Sequence, residues 1–219
     1  MLRLMYWTNF LRRALRAPYG IASKVLQLLP AFDFIKETKH SNIPISFDAW
    51  FRQQVMGINY GPYWPVDPAS RVIGWRKIYA GVGVAPGFSP GCYIQALGEL
   101  YIGDYTIIAP NVGIISSNHT CENLKKHDIG KVVIGRYCWI GMGAIILPGV
   151  TLGDFTTVGA GAIVTRSFPQ GYCVIGGNPA KIIKKLDKSR CISFKDKYEY
   201  HGFIPKYEFE EFRKKNLLV

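Results

Sequence analysis

His119 ends the segment Asn111-Val-Gly-Ile-Ile-Ser-Ser-Asn-His119 and stands directly before a polar stretch, 120–133, that holds Cys121, Glu122, Lys125, Lys126, His127 and Asp128. A hydroxyl is a poor nucleophile at neutral pH. An imidazole, with an ordinary pKa of about 6.5, can take its proton as a new bond forms. Cys121 offers a second chemistry, thiolate attack through an acyl-enzyme. A third, metal-assisted chemistry, needs a cluster of ligands, yet only His119 and His127 lie near one another; with His40 and His201 far off in the chain, a three-histidine zinc site is disfavoured. The five cysteines, Cys92, Cys121, Cys138, Cys173 and Cys191, are odd in number and never spaced as a CxxC pair. That spacing fits reduced cytoplasmic thiols better than a disulfide framework or a zinc ribbon. A base also needs its other ring nitrogen held by a carboxylate or a carbonyl. Glu122 and Asp128 are the nearby carboxylates, and the sequence does not choose between them.

These groups are positioned by a repeat. Stepping by six from Val66 gives Val72, Ile78, Val84, Pro90, Ala96, Ile102, Ile108 and Ile114; the run then breaks and resumes as Ile134, Ile140, Ile146, Leu152, Val158 and Val164. A period of six fits neither an amphipathic strand, at two, nor a helix, at about 3.6. It fits a three-sided parallel β-helix, in which each hexapeptide makes a short strand and a corner, the aliphatic residue points inward, and glycine or a small residue serves the turn. The distance from Ile114 to Ile134 is not a multiple of six, so residues 120–133 must leave the prism as a loop. Loops carried on rigid scaffolds are where function concentrates.

The flanks differ from this middle. Before Asp33 there is no acidic residue, and Leu4, Trp7, Leu11, Ala14 and Leu15 share one helical arc while Asn9, Arg12, Arg13 and Arg16 share the opposite one. A cationic amphipathic helix of this kind reads as contact of residues 1–30 with an anionic inner leaflet, or as packing on its own domain or a neighbouring subunit. The repeats end near Pro169, and residues 182–219, charged and aromatic, read as one or two helices capping the open end of the stack. A hydrophobic fraction of 48% against 19% charged residues excludes wholesale disorder. The formal charge of +12 points to anionic partners. Nucleic acid has only that charge in its favour, with no recognition motif. No apolar run reaches the roughly 18 residues of a membrane span, and Arg12, Arg13 and Arg16 interrupt the early apolar stretch where a cleavable signal would need continuity.

The ladder, the Asn111–His119 segment, the expelled loop, Trp139-Ile-Gly-Met-Gly-Ala144, and Val158-Gly-Ala-Gly-Ala-Ile-Val-Thr165 ahead of Gly177-Asn-Pro-Ala-Lys181 together resemble the hexapeptide-repeat acyltransferases. The nearest members are the maltose and galactoside, serine and polysaccharide O-acetyltransferases. The resemblance covers residues 66 to about 185. It implies a mainly β chain: a left-handed parallel β-helix of about five coils over 66–180 with the loop 120–133 expelled, an N-terminal helical extension over 1–65 and a C-terminal helical cap over 181–219. It further implies a homotrimer with active sites in the clefts between prisms, acetyl-CoA as acyl donor lying along the later coils, no required metal, and His119 as the general base.

Other roles follow, some from the same resemblance and some from charge and position in the ladder. A backbone N–H in Gly141-Met142-Gly143 would meet the developing oxyanion. Ala160 and Thr165 would line the cofactor. Lys181 would meet its phosphates, with Arg166, Lys184 and Lys185 as further cations, although Lys184 and Lys185 read equally well as solvated. Trp139 would flank the pantetheine or adenine, or simply pack at a corner. Tyr101, eighteen residues before His119, would wall the acceptor pocket, and Ser89 and Gln95 are further acceptor-side candidates. The expected activity is O-acetylation of a sugar hydroxyl in surface polysaccharide biosynthesis, by direct transfer, in the cytoplasm or at the inner membrane face. N-acetylation of an amino sugar, O-acetylation of serine, and a noncatalytic trimeric glycan-binding scaffold are the alternatives.

Overall fold

The computed structural model describes Gly20, Lys24, Val25 and residues 29–219; the amphipathic helix expected over the first sixteen residues lies outside them. Three parallel sheets form the faces of a prism. The first face stacks Arg71–Ile73, Tyr93–Gln95, Gly113–Ile115, Ile145–Ile146 and Ile163–Val164. The second stacks Ile78–Ala80, Leu100–Ile102, Val132–Ile134 and Thr151–Leu152, with a bridge from Leu152 to Phe168. The third stacks Ile107–Ile108, Trp139–Ile140, Thr156–Val158 and Cys173–Gly176, and the antiparallel strand Lys181–Lys185 ends it.

Inward columns of branched aliphatics hold the faces together. Ile78, Ile94, Leu100, Ile102, Ile114, Ile140, Ile146, Val158 and Val164 are wholly buried. Each such side chain contributes about 2 kcal/mol by leaving water. In the later coils the register advances by eighteen residues, pairing Ile145 with Ile163 and Val133 with Thr151. In the early coils it does not: Arg71 pairs with Tyr93, twenty-two residues on, and Tyr93 with Gly113, twenty on. Pro90 is therefore exposed at a corner, and Ile94, not Ala96, is the ladder residue. Arg71 and Gly113 stand forty-two residues apart in one column, a multiple of six, which is why a step of six recovers its phase across the irregular coils.

An aromatic column marks the corner between second and third faces. Tyr105, Tyr137, Phe155 and Tyr172 all adopt positive φ, and their rings stack in succession at centroid spacings of 5.4, 4.9 and 5.1 Å. Down this column runs residue span 186–199. The Tyr137 hydroxyl donates to the Phe194 carbonyl at 2.7 Å, and the Phe194 ring tilts against Tyr105. The chain then turns through the hairpin Tyr200–His201 and Ile204–Pro205 into the helix Lys206–Asn216. That helix does not cap the late coils, as the sequence suggests. Phe209 packs on Tyr63, Tyr79 and His201, and the Leu218 N–H donates to the Arg76 carbonyl, beside the earliest coils. The column supplies a continuous apolar track that carries the chain back along the prism.

Before the prism lie the short helix Asp33–Glu37 and the helix Phe47–Gln54, the latter capped by Ser46, whose hydroxyl accepts from the Ala49 N–H at 3.1 Å. Phe32, Phe34, Ile45 and Phe47 form a small second core against Phe203 and Tyr200. Buried Gln53 ties this region to the prism, donating to the Pro62 and Trp64 carbonyls and accepting from the Val66 N–H. Among the described residues no helix is long and apolar enough to cross a membrane.

Candidate active site

After Ile115 the chain leaves the corner between first and second faces as a β-hairpin. Ser117–His119 pairs antiparallel with His127–Ile129, placing His119 opposite His127 and Asn118 opposite Asp128. The excursion is therefore displaced toward the N-terminus from the expected 120–133: it begins at Ser117, and Val132 is already buried in the second face, because the two arms satisfy each other's backbone groups and release the chain to the prism at Gly130. Buried Ser116 fastens the base of the hairpin. Its N–H donates to the Gln95 carbonyl, its hydroxyl accepts from the Gly98 N–H, and its carbonyl accepts from the Gly130 N–H. Ser117 adds a bond to the Gln95 side chain at 3.3 Å. The signal for this pair was the Ser-Ser step between an apolar strand and the histidine.

His119 is exposed, and its Nδ1 lies 2.6 Å from the Leu124 carbonyl. A carbonyl only accepts, so Nδ1 carries a proton, and in the neutral ring the lone pair is therefore on Nε2. The orienting group is thus a main-chain oxygen of the hairpin turn rather than Glu122 or Asp128, both of which are exposed on the excursion. The turn is braced internally. The Thr120 hydroxyl donates to the Asn123 carbonyl at 2.7 Å and accepts from the Asn123 N–H, and the Asn123 side chain accepts from the Lys125 N–H. The His119 and His127 rings lie 4.3 Å apart, centroid to centroid.

The acceptor-side candidates separate. Gln95 sits at the hairpin base. Tyr101 lies on the second face, stacked on Tyr79 with the Lys131 ammonium 4.1 Å above its ring, and its register partner is Val133. It is not one coil beneath His119, because the coil there is longer than eighteen residues and the excursion adds more. Ser89 belongs to the corner between third and first faces, where its hydroxyl donates to the Ile108 carbonyl as a structural tie.

At that same corner lie Gly141, Met142 and Gly143. The Gly141 N–H donates to the Val158 carbonyl and the Gly143 N–H to the Pro110 carbonyl, so coil-to-coil bonding uses both. Met142 is exposed and only its carbonyl is engaged, by the Gly161 N–H. Among the described residues, that leaves the Met142 N–H as the donor of the three with no partner, able to meet an incoming oxygen. Beside it, nothing but the Gly161 nitrogen, at 4.0 Å, comes within reach of where a side chain on Gly143 would stand, and nothing lies within 4 Å of one on Gly161. The corner is open there, with Ala160 exposed along it and Trp139 half-exposed on the adjoining face. Lys181 and Lys184 project from the exposed terminal strand of that third face. These features suit a long thioester chain ending in phosphates. Thr165 and Arg166, by contrast, are exposed at the corner between first and second faces, two coils after the hairpin, with the Arg166 guanidinium over Phe168. His119, Thr165 and Arg166 thus fall on one corner of the first face, and Ser89, Met142 and Ala160 on the corner that borders it from the opposite side. Among the described residues no group of three or more histidine, cysteine or carboxylate side chains is gathered to hold a metal.

Residues 131–166 match the family model "Bacterial transferase hexapeptide (six repeats)". The galactoside O-acetyltransferase of Escherichia coli K12 is 36% identical over 104 residues, 43% of this chain and 49% of that protein. WcaF of the same organism, an acetyltransferase provisionally assigned to colanic acid biosynthesis, is 34% identical over 95 residues, 42% of this chain and 50% of that protein. A solved galactoside acetyltransferase in complex with coenzyme A superposes with a TM-score of 0.53 at 26% identity, covering 76% of this chain and 84% of that one. The chain spans about half the length of the curated relatives it matches. With its hexapeptide repeats, its parallel three-faced prism and these likenesses, the chain resembles the hexapeptide-repeat acyltransferases in both sequence and fold.

Proposed function

We propose that the protein is an acetyl-CoA-dependent O-acetyltransferase that acetylates a sugar hydroxyl by direct transfer, with His119 as general base. The observation that carries this reading is the His119–Leu124 hydrogen bond, which commits Nδ1 as a donor and leaves Nε2 as the basic nitrogen of an exposed ring. Nε2 takes the proton of the acceptor hydroxyl as its oxygen attacks the thioester carbonyl. The Met142 N–H stabilises the charge that gathers on the carbonyl oxygen. As the carbon–sulfur bond breaks, the imidazolium returns its proton to the departing thiolate, so the ring ends neutral. Ala160 and the open corner at Gly143 and Gly161 admit the donor's chain, and Lys181, Lys184 and Arg166 meet its phosphates.

His119 and Met142 border the first face from opposite sides, so a site containing both draws them from two copies. This supports a homotrimer of left-handed prisms with three intersubunit clefts. A formal charge of +12 suits an acceptor carrying phosphate or carboxylate, such as a nucleotide-linked sugar or a growing surface polysaccharide, and the cationic pattern of residues 1–30 suits the anionic inner face of a membrane. The likeness to galactoside O-acetyltransferase and to WcaF supports a sugar over serine.

The test follows thiol release from acetyl-CoA against a panel of sugars, sugar nucleotides, amino sugars and serine, for the wild type and His119→Ala. Turnover falls about a thousandfold in the variant while its affinity for coenzyme A is retained. Equal turnover in the two proteins, or release with amines alone, would overturn the assignment.

A further inference from the structure

His127 has no role in the transfer just described, yet the hairpin register sets it directly across from His119. Residues opposed on antiparallel strands project to the same side with their Cβ atoms about 5 Å apart, and here the two rings lie 4.3 Å apart at 40°. Both side chains are exposed. An exposed imidazole on a loop otherwise turns between rotamers in picoseconds to nanoseconds, whereas a working base must be held to within roughly 0.5 Å and 20°. The single bond to Leu124 fixes one edge of the His119 ring and leaves rotation about that bond open. A second ring 4.3 Å away and tilted by 40° stands in the way of that rotation.

We infer that His127 is a positioning residue for His119, acting as a flat lateral stop that keeps Nδ1 on the Leu124 carbonyl and Nε2 in its basic form. The inference rests on the proposed role of His119 for its kinetic consequence but not for its structural one. If the stop is lost, water competes for Nδ1 and the proton redistributes toward Nε2–H, the form that has no lone pair at the reacting nitrogen. The property that matters is the flat ring and not its protons, so another aromatic ring at position 127 serves as well. Nothing else within the hairpin offers such a face to His119, since residues 117–129 hold no ring besides His119 and His127.

The experiment compares wild type, His127→Ala and His127→Phe by two readouts. The first is the nitrogen-15 spectrum of the imidazoles, with the His119 signals identified among the four histidines by their loss in His119→Ala; it requires neither donor nor acceptor. The wild type and His127→Phe show His119 as the Nδ1–H tautomer, and His127→Ala shows a mixture with Nε2–H. The second is steady-state acetyl transfer: kcat falls about tenfold in His127→Ala with KM for both substrates within about twofold, and His127→Phe restores it. An unchanged His119 tautomer in His127→Ala overturns the inference, as does a Phe variant as impaired as the Ala variant. If no acetyl transfer is found for the wild type, the proposed function fails while the tautomer measurement still decides the role of His127.

Discussion

Gly135 lies beneath the backbone of Asp154 so closely that a Cβ added to it would stand 2.5 Å from the Asp154 nitrogen. The two residues are held together by the same corner: the Asp154 carboxylate accepts from the Arg136 N–H at 2.7 Å and pairs with the Arg136 guanidinium at 2.8 Å. Gly135→Ala must therefore push adjacent coils apart, an overpacking cost of roughly 3 kcal/mol. Gly161→Ala meets no atom within 4 Å and costs only the strain of its positive φ, about 1 kcal/mol. At about 2–4 °C per kcal/mol for a chain of this size, the first variant lowers the thermal midpoint by roughly 9 °C and the second by roughly 3 °C. The second also puts a methyl group into the open space at that corner, so KM for acetyl-CoA rises in it. Equal midpoints would show that the coils are not in register at this corner.

What the sequence made legible, and what it did not, follows from where the repeat is strict. From Ile134 to Val164 each step of six lands on a buried aliphatic, because each corner there has the same length and a glycine column allows the coils to close. Between Val84 and Ile102 the corners lengthen, and Pro90 carried the expected phase while Ile94 did the packing. His119 was identifiable as the end of a hexapeptide before a polar break. Its partner was not, because a main-chain carbonyl has no letter of its own, and the Leu124 oxygen reaches Nδ1 only through a turn that Thr120 and Asn123 create. Met142 could be narrowed from its neighbours only by tracing which N–H groups the coils on either side already use. The return of the C-terminal helix to the first coils was equally hidden, since it depends on an aromatic column assembled from four separate corners.

The turn that presents the Leu124 carbonyl has a weak point at Thr120, whose hydroxyl makes two of its bonds to Asn123. Thr120→Val keeps the shape of the side chain and removes both. The site is exposed, so the thermal midpoint moves by no more than about 2 °C. The carbonyl is no longer fixed opposite Nδ1, and kcat drops about tenfold with coenzyme A affinity retained. A variant with full turnover would mean that the turn holds its form without the hydroxyl.

Cys121 is exposed two residues from His119, while Cys92, Cys138 and Cys173 are buried. Burial raises all three of those thiols, Cys138 to about 11, which withholds the reactive thiolate. A thiol reagent applied to the native protein therefore modifies Cys121 first, partly exposed Cys191 next, and the other three only on unfolding. Direct transfer makes no use of this sulfur, so Cys121→Ser keeps acetyl transfer within about twofold of wild type. Loss of turnover in that variant, together with an acetylated thioester on the wild-type chain, would replace direct transfer with a covalent route.

Acid should loosen the C-terminal return. His201 is buried, its ring lies parallel to Phe209 at 3.6 Å, and its Nδ1 donates to the Ala80 carbonyl at 2.9 Å. Removal from water pushes its pKa below the ordinary imidazole range; the Ala80 bond and the charge of Asp104 oppose this, and Lys206 reinforces it. The folded protein therefore holds His201 neutral at a pH where the unfolded chain already binds a proton. The resulting stability is complete above the unfolded value of about 6.5 and is lost as pH falls below it toward the depressed folded value. His201→Phe keeps the stack on Phe209 and gives up the bond to Ala80, which costs about 1 kcal/mol at pH 7.5. Between pH 7 and pH 5 the thermal midpoint of the wild type falls more steeply than that of the variant, and the gap between them narrows. Scanning calorimetry across this range decides the matter: parallel profiles would mean that His201 accepts its proton in the folded state as readily as in the unfolded one, and that the acid sensitivity lies elsewhere.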